Sequence, residues 1–115
     1  MKGLTLSDEW NNDIVYIYAI YHYGRDIYFY GASDEIGGEL YAFKQKDLKI
    51  IDPKISYEMV YVGNDGNSYF MMLHWALAEN KLLDRVLERD DDAVELFSQL
   101  RWIDRKEIIC DPKKL

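Results

Sequence analysis

Residues 13–31 read D-I-V-Y-I-Y-A-I-Y-H-Y-G-R-D-I-Y-F-Y-G and hold six of the chain's ten tyrosines. From Ile14 to His22 nearly every position is β-branched or aromatic, a composition that suits a pleated, half-buried surface better than a helix. The segment Tyr23-Gly24-Arg25-Asp26 supplies a glycine able to take positive φ. Ile27 to Tyr30 then resumes the same composition, so the two runs read as an antiparallel hairpin with a three- to five-residue loop. A period of two puts Ile14, Tyr16, Tyr18, Ile20 and His22 on one face and Val15, Ile17, Ala19, Tyr21 and Tyr23 on the other. Neither face is polar. Such a strand belongs inside a sheet covered on both faces, or covered on one and used for binding on the other. Its tyrosines are therefore core residues with wet hydroxyls or a recognition face.

Outward from this hairpin the chain extends as an α+β domain. Gly31 to Gly38 is rich in turn formers, and Glu39 to Phe43 alternates as a third strand. Leu48 to Ile51, flanked by lysines and ended by Asp52-Pro53, reads as an edge strand or loop, where lysines blunt unwanted strand pairing. Ile55 to Val62 is a further strand. Gly63-Asn64-Asp65-Gly66-Asn67 is a hairpin signal that makes Ser68 to Met72 the returning strand, although Tyr69, Met72, Leu73, Ala76 and Leu77 also fall at helical spacing. A helix is expected from Leu73 to Glu88. A second is expected from Asp92 to Leu100, with Asp92 and Glu95 in the Asp-x-x-Glu capping layout. Ser7 to Trp10 reads as a short helical turn, and Lys106 to Cys110 as a last strand. The fold expected is a mainly antiparallel sheet of about five strands with two C-terminal helices packed on one face, in one domain spanning residues 1–115. The helices leave the opposite face to solvent, a partner or a twin copy.

Composition excludes several chemistries. One cysteine, Cys110, allows neither an internal disulfide nor an all-cysteine zinc site. His22 and His74 lie far apart with no His-x-x-x-His helix. Gly37-Gly38 precedes Glu39 rather than a Lys-Ser or Lys-Thr, so it makes no phosphate loop. No Gly-x-Ser-x-Gly elbow is present. The expectation is a protein that is not an enzyme and carries no cofactor or metal. The first ten residues lack the apolar core of a signal peptide, and no apolar run approaches the roughly 18 to 20 residues of a membrane span, which fits a cytoplasmic location without membrane contact. A net charge of −7, spread along the chain, disfavours nucleic acid and favours a basic partner.

In profile, a single acidic, aromatic-rich α+β domain of this length resembles the small cytoplasmic immunity proteins that bacteria make against toxins delivered by rival cells, many of which block a basic nuclease. The resemblance covers the whole chain and rests on no diagnostic motif. It implies a basic protein partner such as a toxin domain, with acidic side chains steering the encounter and aromatic anchors supplying desolvated contact energy. The candidates for steering are Asp34, Glu35, Glu39, Asp90, Asp91 and Asp92. The candidate anchors are Tyr21, Tyr23, Tyr28 and Trp102. Two other classes stay open: a phage or bacterial accessory interaction domain, with a homodimer among its forms, and a small enzyme or ligand-binding protein.

Overall fold

A computed structural model describes residues 1–6, 13–33, 39–63, 70–79 and 81–103. The expected helical turn at Ser7 to Trp10, the Asn64 to Asn67 turn, the acidic pair Asp34 and Glu35, and the last strand at Lys106 to Cys110 lie outside the described residues.

The tyrosine-rich stretch is the spine of the sheet. Its strands β2 (Ile14–Tyr23) and β3 (Asp26–Ala32) pair from Tyr16 with Ala32 to Tyr23 with Asp26. Only Gly24 and Arg25 lie between them, a shorter loop than expected, and Gly24 at φ 63° gives the glycine-first pattern of two-residue hairpins. The other strands are β1 (Lys2–Thr5), β4 (Tyr41–Lys44), β5 (Leu48–Asp52), β6 (Met59–Gly63) and β7 (Phe70–His74). All pairings are antiparallel, in the order β4-β3-β2-β1-β5, with β7 joining β2 to β6. The fold is α+β with seven described strands rather than five. Strand β1 reads K-G-L-T, too short and too mixed to show an alternation, and it exists because β2 offers it an edge.

The side-chain phase of β2 changes partway along. Ile17 faces Gly31 and Ala19 faces Tyr30, so Tyr18 is an extra residue, a bulge that reverses the alternation beyond it. The simple period-two assignment therefore fails for the second half of the strand. Tyr21 joins Tyr16 and Tyr18 on the side of the helices, whereas Ile20 joins Val15 and Ile17 on the other.

The side away from the helices is not left bare along its length. Strands β4 and β5 are the two ends of the β4-β3-β2-β1-β5 path, yet a single 3-10 turn, Gln45–Asp47, joins them. Flat, these edges would stand about 19 Å apart, whereas such a turn advances roughly 8 Å. The sheet must curl. Val15, Ile17, Phe29, Phe43 and Leu48 fill the curl as a core of their own.

The larger core lies under helices α1 (Leu82–Leu87) and α2 (Asp91–Leu100), where Leu82, Val86, Ala93 and Phe97 meet Tyr18, Leu73 and Leu77. The expected helix start at Leu73 is overturned. Residues 70–73 pair with the free edge of β2 at 19–22, and that pairing prevails over the helical spacing. Residues 75–79 then form consecutive turns, with Leu77 N–H to His74 O, Ala78 N–H to Trp75 O and Glu79 N–H to Ala76 O, which explains why their apolar spacing looked helical. The second helix begins one residue early and is capped by Asp90 instead of Asp92, its Oδ1 accepting from Ala93 N–H at 3.1 Å. No helix among the described residues is long and apolar enough to cross a membrane.

Candidate functional site

Strand β2 changes neighbours. Its first half pairs with β1 up to Tyr16, its second half pairs with β7 from Ala19, and the bulge falls between the two. In that gap Ile17 N–H donates to Met1 O at 3.0 Å, and Ile17 O accepts from the Tyr57 hydroxyl at 2.8 Å. Tyr57 comes from residues 53–58, which the sequence reading placed partly in a strand beginning at Ile55. They run as an irregular segment before β6, because their aromatic side chain is used to close the fork. Burial raises the pKa of the Tyr57 hydroxyl well above the ordinary phenol range, so it serves as a donor and not as an acid.

Behind the fork lies a cluster of rings. Tyr18 meets Phe97 edge-on at 5.2 Å and His74 at 5.7 Å, and Tyr57 lies 4.8 Å from His74. His74 is fully buried. Its Nδ1 accepts from Ala76 N–H at 3.1 Å, which fixes the neutral tautomer and holds the turn after β7. Burial pulls its pKa down to about 4, and the carbonyl of Arg101 offsets only part of that effect.

The fork opens outward into a cleft of about 300 Å³. Arg101, the C-cap of α2, forms one side of it, with its guanidinium 4.3 Å from the Trp102 ring and 5.9 Å from that of Tyr18. Its side chain is only 7% exposed, and its Nε and Nη1 are buried without a hydrogen-bond acceptor. Trp102 meets Tyr16 edge-on at 5.4 Å, and Lys2 Nζ lies 5.5 Å above the Tyr16 ring. Lys54 and Asp52 complete the mouth, where Asp52 accepts from the Lys54 backbone N–H at 3.0 Å.

No family model, curated protein or solved structure matches this chain. The residues of the fork and of the surface must therefore speak through their own chemistry. Among the described residues, no three of His, Cys, Asp and Glu converge to hold a metal ion.

The described residues singled out from the sequence fall in five places. Tyr21 and Tyr28 stack at 4.9 Å, with Tyr30 against Tyr21 at the same distance, a half-buried ladder on the helix side of the hairpin. Tyr23 stands 66% exposed at the hairpin tip. Glu39 accepts from the Tyr41 hydroxyl at 2.8 Å, an interaction that raises the Tyr41 pKa. Asp90 is committed to its cap, and the Ala93 N–H holds its carboxyl below the usual range, while Asp91 and Asp92 are exposed in the first turn of α2. Trp102, 57% exposed, walls the cleft. Sequence reasoning missed Arg101, although a signal existed. Ala93, Phe97 and Arg101 are spaced by four along one helical stripe, and an arginine continuing an apolar stripe is marked for burial.

Proposed function

We propose that the chain is a small cytoplasmic binding protein that blocks a basic protein partner by covering its surface, an inhibitor of the immunity type. The observation that carries this reading is the charge on the helical layer. Asp84, Glu88, Asp91, Asp92 and Glu95 are all exposed there. Two of the neighbouring bases are held by the layer itself. Arg85 Nε lies 3.5 Å from Asp90, and Arg89 donates from Nη1 to Leu40 O at 2.8 Å while lying over the Tyr41 ring. The layer thus offers outward carboxylates and spends its arginines on its own packing, an arrangement that steers a basic surface and repels an acidic one. Leu96, 43% exposed among these acids, is available as an apolar contact.

Co-expression with the polypeptide encoded beside it, followed by association kinetics, tests the reading. The expected result is a complex whose association rate falls steeply with salt. Neutralising the ridge with Glu88→Gln, Asp91→Asn, Asp92→Asn and Glu95→Gln is expected to slow association about tenfold at low ionic strength and to leave dissociation nearly unchanged. Absence of a complex, or rates indifferent to both salt and substitution, would remove the basic partner from consideration. Asp90 is kept in this variant because it caps α2.

Self-association is favoured by a different observation. Strand β6 pairs only with β7 among the described residues and carries exposed Tyr61 and Val62 at its far end. A mass of two copies by light scattering would support it.

A further inference from the structure

We infer that the cleft at the fork of β2 binds a small aromatic anion, a body of one or two rings carrying a carboxylate or phosphate, with Arg101 as its counter-ion. This goes beyond the helical ridge and does not depend on it. The carrying observation is the state of Arg101. A guanidinium taken out of water must be compensated by acceptors, or its burial is strongly unfavourable. Here Nε and Nη1 are both buried and both lack an acceptor, so the charge of a side chain that lines the cleft has no hydrogen-bonded compensation from the protein. The contacts it does have, the Trp102 and Tyr18 rings, hold its position without using its donors.

Local charge agrees. Among the described residues, Lys2, Lys54 and Arg101 line the cleft against the single carboxylate of Asp52, a cationic lining on a chain whose net charge is −7. Asp52 is engaged by the Lys54 N–H and leaves Arg101 uncompensated. Four rings, Tyr16, Tyr18, Tyr57 and Trp102, share the rest of the lining with aliphatic side chains and Ser56. A volume of about 300 Å³ lies at the lower end of small-ligand sites and suits one or two rings, not a dinucleotide or a peptide. A charged hydrogen bond to such an anion is worth a factor of roughly ten or more in affinity.

Calorimetric titration of the full chain tests this with indole-3-acetate and uridine 5′-monophosphate, each against its neutral counterpart, indole-3-acetamide or uridine, and with inorganic phosphate alone. At least one aromatic acid is expected to bind about tenfold or more tightly than its neutral counterpart and than inorganic phosphate. Which acid prevails decides between carboxylate and phosphate. Arg101→Met is expected to abolish that preference while leaving the melting temperature of the free protein unchanged or a few degrees higher, since it removes a buried charge with no acceptor. Trp102→Ala, at an exposed position, is expected to weaken binding several-fold. Equal binding of acids and neutral counterparts overturns the inference, as does inorganic phosphate binding as well as either aromatic acid, or an Arg101→Met protein that keeps the preference. Should Arg101→Met not fold, Trp102→Ala and Lys2→Gln decide: weaker acid binding in both supports the site, and unchanged binding overturns it.

Discussion

Replacing Phe97 by alanine is expected to cost about 3–5 kcal/mol of folding stability, a large share of the roughly 5–15 kcal/mol that holds a domain of this size together. Phe97 is fully buried and sits where the two layers meet. It touches Tyr18 of the β2 bulge edge-on at 5.2 Å and His74 at the end of β7 at 5.6 Å, both nearly perpendicular. Removing the ring leaves a cavity lined by aromatic groups already fixed by their own partners. Tyr57 is held by Ile17 O and His74 by Ala76 N–H, so collapse into the space is resisted. Urea unfolding followed by circular dichroism measures the loss. Leu96→Ala, one residue away on the same helix and 43% exposed, is the control and is expected to cost less than about 1 kcal/mol. A small effect at Phe97, matching that at Leu96, would mean that α2 does not pack on the fork.

Acidification should destabilise the fold through His74. Its folded pKa of about 4 lies below the value near 6.5 of an unfolded chain, so between these pH values the unfolded state binds the extra proton. The stability from keeping His74 neutral is fully present above about pH 6.5, falls as pH decreases from there, and is exhausted near pH 4. A shift of this size corresponds to at most about 3 kcal/mol. His74→Asn keeps an acceptor for the Ala76 N–H without an ionisable ring. Stability measured from pH 7.5 to 3.5 should therefore fall less steeply in this variant than in the unsubstituted chain between pH 6.5 and 4, with the carboxylates common to both cancelling in the difference. Identical curves would show that His74 is solvated and titrates normally. An NMR titration of its imidazole reports the same pKa directly.

How far the sequence discloses this molecule depends on the range of the interaction concerned. The β2–β3 hairpin is local, and its composition, alternation and glycine announce it. The bulge at Tyr18 is not local. It arises because β1 holds one half of β2 and β7 the other, and no residue in Ile17-Tyr18-Ala19 marks the change of phase. The same holds for β7, where helical spacing from Leu73 onward belongs to a chain of turns and where pairing with β2 overrides the pattern. Strand β1 carries too few apolar residues to be seen before its partner is known. The helix cap was nearly legible: an Asp run after Arg89 offers three candidates, and the hydrogen bond to Ala93 selects the first. The cleft was half visible. Trp102 could be read as an aromatic anchor, but the significance of Arg101 depends on Tyr18 and Tyr57, and only the fold brings these together.

The fork in β2 underlies the core, the burial of His74 and the cleft beside Arg101, so its pairing is the most direct point at which to test the structure. Nuclear Overhauser contacts between backbone protons supply that test. The predicted pattern is contact of β2 with β1 before the bulge, read at Val15 with Gly3, and with β7 after it, read at Ala19 with Leu73, together with β3 along the other edge. A β2 that keeps one neighbour on that edge from Ile14 to Tyr23 would contradict the fork and every feature built upon it.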